Sequence, residues 1–438
     1  APALAGASAR GHHWGNRRPR AAFVVVPACY REPMSNFADI ACPASPQLES
    51  ATTASPDGRP KDSATFAGSR SRKTPDVPEG EMHGHGSGGP KDVWTHNVEA
   101  TASLLIAFGT LITTCSAQGL FTPSTASRWI LEYLVPFQLP IFYFCLGFLY
   151  QRYRTTRTPR AWGQNLRREL ALMGIPFAAF TVLVLLTNSA VGAKPPLSVA
   201  DLLRALFIEP VIPVGYFYTC LIIYAITPTV KSRRNASGLL FAAVAAKAAI
   251  VALASTAEMA TRLPYAVTSV AENWIWVAGG MAMALYRGLP LVRGSEKAWA
   301  LGALWVATSV IAFYAGWTGE TSHAVLDALG VLWATSLFST VFRSGRQNRF
   351  YDFVTRYTMA IWLFHGICLA LYFHLWKAAG ISVTAAPWMA AVGAALVCYG
   401  MPVLIMAVLS RLGKAGIIVY PARYLPPAPA TMLRKTPH

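Results

Sequence analysis

Charge is scarce in this sequence, and negative charge scarcest. Asp and Glu number 20 against 38 Lys and Arg in 438 residues, and charged residues of both signs make up only 13%. A soluble domain carries about a quarter charged residues, so a water-facing globule is excluded for most of the chain. Also missing is any C-x-x-C pair among the seven cysteines, which removes zinc-ribbon and dithiol redox chemistry. No glycine-rich phosphate loop is present, so a nucleotide-containing substrate has to be held by scattered groups. Cys115, Cys145, Cys220, Cys368 and Cys398 lie in apolar surroundings and read as packing residues, not as a disulfide framework.

Hydrophobic residues fill the space that charge leaves, at 54% of the chain. Apolar stretches of about 20 residues, each enough to cross ~30 Å of hydrocarbon as a helix, recur from about position 98 to about position 410. They lie near 98–116, 130–150, 169–188, 214–230, 237–256, 270–287, 298–316, 323–342, 354–376 and 387–410. The expected fold is therefore all-α, a polytopic membrane protein with about ten transmembrane helices. Basic residues alternate between the loops. One set holds Arg152, Arg154, Arg157, Arg160, Arg167 and Arg168, then Lys231, Arg233 and Arg234, then Arg287, Arg293 and Lys297, then Arg343, Arg346, Arg349 and Arg356, and finally Arg411, Lys414 and Arg423. The other set has only Arg128, Lys194, Arg204, Arg262 and Lys377. By the positive-inside rule both termini are cytoplasmic. The net charge of +18 sits in the tail and the basic loops. Anionic membrane lipids are its expected partner, and nucleic acid is not.

Residues 1–90 are rich in Gly, Pro, Ser and Arg, without a period of 3.6 or 2, and are expected to form a disordered basic tail. Ala21–Pro27 is too short to span a bilayer and lacks a small-residue cleavage site. The sequence begins without methionine, and Met34 and Met82 are candidate starts. His83 and His85, flanked by glycine, read as inert. Residues 91–412 make the membrane domain, and 413–438, with Pro421, Pro426, Pro427 and Pro429, an extended cytoplasmic tail.

Polar groups at bilayer depth are costly and mark candidate sites. They are Glu99, Thr110, Glu132, Gln138, Lys247, Glu272, Asp327 and His365. At 1.5 Å of rise per residue, Thr110 and Gln138 lie about 18 Å in from the cytoplasmic side and His365 about 13 Å, so neighbouring helices would bring the three together. Pro136 and Pro140 flank Gln138 and predict a kink or break, tolerated in lipid only inside protein or beside a cavity. Trp274, Trp276, Trp317 and Trp376 fall near span ends and are expected to anchor at the interface.

The stretch F-Q-L-P-I-F-Y-F-C-L-G-F-L-Y (137–150) resembles the F-H-M-P-L-F-F-F-L-S-G-Y-L-Y signature of the acyltransferase-3 family, bacterial membrane enzymes that move acetyl or other acyl groups onto sugars. Residues 92–110 are similar to that family's opening helix, G-Y-F-Y-T-C-L-I-I-Y (215–224) to its L-W-F-L-x-x-L-x-x-Y segment, and Y-T-M-A-I-W-L-F-H-G (357–366) to its S-x-x-I-Y-L-x-H-x element. The resemblance implies a bacterial cytoplasmic-membrane O-acyltransferase with acyl-CoA (acetyl-CoA) as co-substrate and a glycan or lipid-linked sugar as acceptor. It implies no bound cofactor or metal.

The departures are specific. Thr110 stands where the family carries its first-helix histidine, Glu99 where it has Arg or Lys, Gln138 where a second histidine is usual, and Leu146 in place of serine. His365 keeps its imidazole. On this reading His365 inherits the base role, which needs a group that titrates near working pH. Thr110 and Gln138 position the acceptor, Thr110 acting as a nucleophile only with a base close by. Arg356 meets the donor's phosphates, Glu99 stands at the cytoplasmic mouth, and Tyr216 lines the cleft. Two alternatives stay open: an inactive relative serving as scaffold or lipid-sugar binding protein, and a transporter whose charged path is Lys247, Glu272 and Asp327.

Overall fold

The computed structural model describes residues 92–154, 158–193, 196–254, 263–286, 294–317 and 319–425. The readings made for residues 1–90 lie outside them. Among the described residues there are helices and no strand. Helices α1 (Val93–Ala117), α2 (Thr125–Trp129), α3 (Gln138–Tyr153), α4 (Pro159–Ala190), α5 (Val199–Phe207), α6 (Gly215–Ile226) and α7 (Arg233–Ala254) are followed by α8 (Tyr265–Leu285), α9 (Ser295–Ala315), α10 (Glu320–Val341), α11 (Arg349–Ala378) and α12 (Pro387–Arg411). Every one of the ten predicted segments carries helix.

Eight of these segments are long and apolar enough to cross a membrane. The other two are α6 and α8. Helix α6 has only 12 residues, about 18 Å of rise, and cannot cross alone. Helix α8 has 21 residues but dilutes its apolar run with Ser269, Glu272 and Asn273. Most of both helices packs into the core of the bundle, with Ile226 and Val267 left exposed. The outer surface confirms the membrane reading, since Phe241, Tyr314, Trp388, Met389 and Leu396 are all more than two-thirds exposed. Water would not tolerate so continuous an apolar belt.

The second span is broken as its prolines predict. It runs as α2, a π-helical turn over Ile130–Leu134, and then α3. Of its apolar window 89% is buried, so the broken backbone is shielded by protein. Gln138 is the first residue of α3, and its side-chain amide donates to the Leu134 carbonyl at 2.7 Å, taking up an acceptor released by the break.

Helices α3 and α8 cross closely because glycines face each other. A Cβ on Gly147 would strike the Val277 carbonyl, and one on Gly280 the Phe144 carbonyl. Small residues let backbones approach in this way within membranes. Helix α1 is central, touching α3, α10, α11 and α12.

Three features differ from expectation. Trp276 is buried, not interfacial, and lies beneath the Lys247 ammonium at 5.8 Å, while Trp274 donates its indole N–H to Thr227. Trp317 is 52% exposed. Residues 413–425 are not extended: two short 3₁₀ turns, Gly413–Ile418 and Pro421–Arg423, bury Val419 and Ala422, and Tyr420 donates to the Arg356 carbonyl at 2.8 Å. The rest of that tail lies outside the described residues. Helix α5 was not foreseen. A Ser198/Asp201 capping box starts it, Arg204 pairs with Glu209 on one side, and Val199, Leu203, Phe207 and Ile208 are exposed. That pattern suits a helix lying in the interface plane.

At the end of α3, Arg154 forms an ion pair with Glu169 of α4 and also donates to Asn165 at 3.3 Å. Burial pulls the Arg154 guanidinium down to about 10, still protonated at neutral pH. Glu169→Gln leaves this buried cation without its anion and is expected to cost about 3–5 kcal/mol. A lower melting temperature in detergent, with normal behaviour for the exposed pair variant Glu209→Gln, checks this.

Candidate functional site

Helix α1 presents Glu99, Ser103, Ile106 and Thr110 at spacings of four, three and four residues, which keeps them on one face. Thr110 lies about 26 Å along the helix from Val93, deeper than the shorter predicted span implied. His365 projects from α11 to meet it. The Thr110 Oγ1 to His365 Nε2 distance is 3.1 Å, and His365 Nδ1 is 3.0 Å from the Ile361 carbonyl.

These two contacts fix the protons. A carbonyl only accepts, so Nδ1 carries the hydrogen and the neutral ring offers its lone pair at Nε2. The Thr110 hydroxyl is then the donor, with the Ile106 carbonyl, 3.1 Å away, as its alternative acceptor. His365 is only 4% exposed, Thr110 is half-buried, and the ring is held by a backbone carbonyl and not by a carboxylate. The arrangement is a hydroxyl hydrogen-bonded to a positioned base.

The remaining candidates divide. Val135, in the break, packs against Gly109, where an added Cβ would lie 2.7 Å from its Cγ2. The break thus abuts the residue next to Thr110. Gln138 itself is bonded to Leu134, and its Oε1 is buried without a hydrogen-bond partner; no bond joins it to Thr110 or His365. Tyr216 packs at a tilt on Tyr143 at 4.8 Å and meets Trp362, one turn from His365, edge-on at 5.4 Å. Glu99 is 5% exposed, inside the bundle and not at an open mouth, where its carboxylate acts electrostatically on Cys145, Tyr216 and Tyr224. It lies about 16 Å along α1 from Thr110. Arg356 is half-buried, about 13 Å along α11 from His365. The structure therefore joins Thr110 to His365, reaches Tyr216 only through Trp362, and leaves Glu99 and Arg356 as outlying groups.

A second polar centre lies elsewhere. Lys247, Glu272 and Asp327 line one cavity with Asn273, Glu320 and His323. Lys247 Nζ donates to the Glu272 carbonyl at 3.2 Å. His323 escaped the sequence reading because it falls near a predicted helix start; its spacing from Glu320 and Asp327, three back and four forward, was the available signal. Among the described residues no three His, Cys, Asp or Glu side chains are grouped to hold a metal ion.

Compared with known protein families, residues 93–407 match the family described as "Acyltransferase domain". The chain belongs to the acyltransferase-3 family. That match spans α1 to most of α12, so the Thr110 and His365 pair lies within the family's shared domain. No curated protein and no solved structure matches the chain.

Proposed function

We propose that this acyltransferase-3 member is active, moving an acyl group, acetyl in the simplest case, from a cytoplasmic acyl-CoA to a hydroxyl of a glycan or lipid-linked sugar at the bacterial inner membrane. The observation that carries the reading is the 3.1 Å contact between Thr110 and His365. Since Thr110 occupies the Nε2 lone pair, the base acts through it. The acceptor hydroxyl passes its proton to Thr110 Oγ1 as the Thr110 proton moves to His365. The acceptor oxygen then attacks the thioester carbonyl, the C–S bond breaks, and the leaving thiolate takes the proton from the imidazolium. Arg356 and its basic neighbours suit the donor's phosphates, while Glu99 suits the amide N–H groups of a pantetheine arm. Tyr216 lines the approach.

Membranes containing the chain, given labelled acetyl-CoA and a glycan extract, are expected to transfer label. His365→Asn, whose side chain still reaches the Ile361 carbonyl, is expected to lower transfer about 100-fold or more. Equal transfer in both chains overturns the assignment. One observation favours a second reading, an inactive scaffold: the family's first-helix base and upstream cation are replaced by Thr110 and Glu99. Under that reading the wild type transfers nothing and the double variant Thr110→His, Glu99→Arg does.

A further inference from the structure

Gln347, just past the end of α10, donates to Asn97 near the start of α1 at 2.9 Å, so α10 ends beside the start of α1 and begins at the opposite end of the bundle, here the far face. Glu320, His323 and Asp327 follow at three- and four-residue steps from that end, forming one stripe about 10 Å long. We propose that this stripe is a proton-exchange path, leading from the far face through about one water to a proton-binding site at Asp327 and Lys247.

Four observations carry it. The His323 ring is 4% exposed and stacked on Tyr133 at 5.5 Å, yet its Nε2 has no hydrogen-bond partner. A buried ring nitrogen left open beside a polar cavity calls for a water. The cavity has about 30 Å³, which admits a water molecule and excludes a sugar or nucleotide. The titratable groups are strung along a helix and, among the described residues, no three are gathered as metal ligands, so the layout is that of stations and not of a chelate. Asp327 lies within electrostatic reach of both Lys247 and Glu320, which ties the inner end of the stripe to the outer. Titratable chains of this kind at bilayer depth mark proton routes.

The polar groups that line the cavity with Asp327 come from three helices. Lys247 is supplied by α7, Glu272 and Asn273 by α8, and Glu320 and His323 by α10 itself, while Tyr133, stacked on His323 and donating to the Trp317 carbonyl at 3.3 Å, comes from the π turn. Each station releases one proton as it accepts the next, without any change of oxidation state. Pro136, Leu139 and Pro140 form the opposite wall. The break that lines this cavity with Pro136 also reaches Gly109 through Val135. The path stands independently of acyl transfer.

The full chain is reconstituted in proteoliposomes and sorted by tag accessibility into its two orientations. The outer medium is then acidified while infrared difference spectra follow the protonated-carboxyl stretch. The band is expected to rise promptly only where the far face is outside, to be missing in Asp327→Asn, and to rise about tenfold more slowly or worse in His323→Gln. Glu320→Gln, at the half-exposed helix start, supplies the same reading if His323→Gln does not fold. A band absent from the wild type, present in Asp327→Asn, equal in both orientations, or undelayed in the folded path variant overturns the proposal.

Discussion

Thr110→Val lowers acyl transfer about 100-fold or more while Thr110→Ser stays within a few-fold of the wild type: this is the result expected if the hydroxyl relays the proton. Valine matches threonine in shape and branching, so it fills the same space beside His365 without disturbing α1. What it removes is the donor to Nε2 and the acceptor for the substrate proton. Serine retains both. If Thr110 merely packed, valine would be the better tolerated of the two, and the order would invert. Initial rates at saturating acyl-CoA and varied acceptor give the comparison, and unchanged elution of the purified variants shows that folding is intact.

Gly147→Val and Gly280→Leu are expected to abolish the folded protein. Each new Cβ is driven into a main-chain carbonyl of the partner helix, which cannot turn aside as a side chain would. Overpacking of a core costs about 1–3 kcal/mol where side chains can shift; here whole helices must separate, and the α3–α8 contact is the most extensive in the bundle. Gly279→Ala is the internal control. Its Cβ would meet the Phe144 ring at 3.5 Å, an ordinary contact, so its melting curve should stay near that of the wild type. Gly109→Ala should fall between, because Val135 can yield, and it should depress transfer by displacing Thr110. Fluorescence-detected size exclusion after mild heating orders the four variants.

Patterns local to one segment were legible in the sequence. Apolar runs gave ten helical segments, eight of them long and apolar enough to cross a membrane, since hydrocarbon thickness acts on each segment separately. Pro136 and Pro140 announced the break because a missing N–H has an unavoidable local effect. Helix depth alone brought Thr110, Gln138 and His365 together in expectation, and of the three the structure joins Thr110 and His365. What stayed hidden depends on which helices touch. Trp276 has the position of an interfacial anchor, and only the placement of α7 turns it into a platform for Lys247. Gln138 looks free to meet substrate until the break exposes the Leu134 carbonyl that occupies its amide. Helix α5, nine residues long, is too brief for a span-length window to register.

Gln151 accepts from the Val230 N–H at 3.0 Å and donates to the Val230 carbonyl at 2.8 Å, so one side-chain amide pairs with a main chain as a neighbouring strand would. Tyr420, beyond α12, makes a single such tether to the Arg356 carbonyl. A reporter fused immediately after α12 would sever that tether, whereas one appended beyond residue 425 would spare it. Expression screens that trim this protein to its hydrophobic helices would therefore discard a clasp along with the tail.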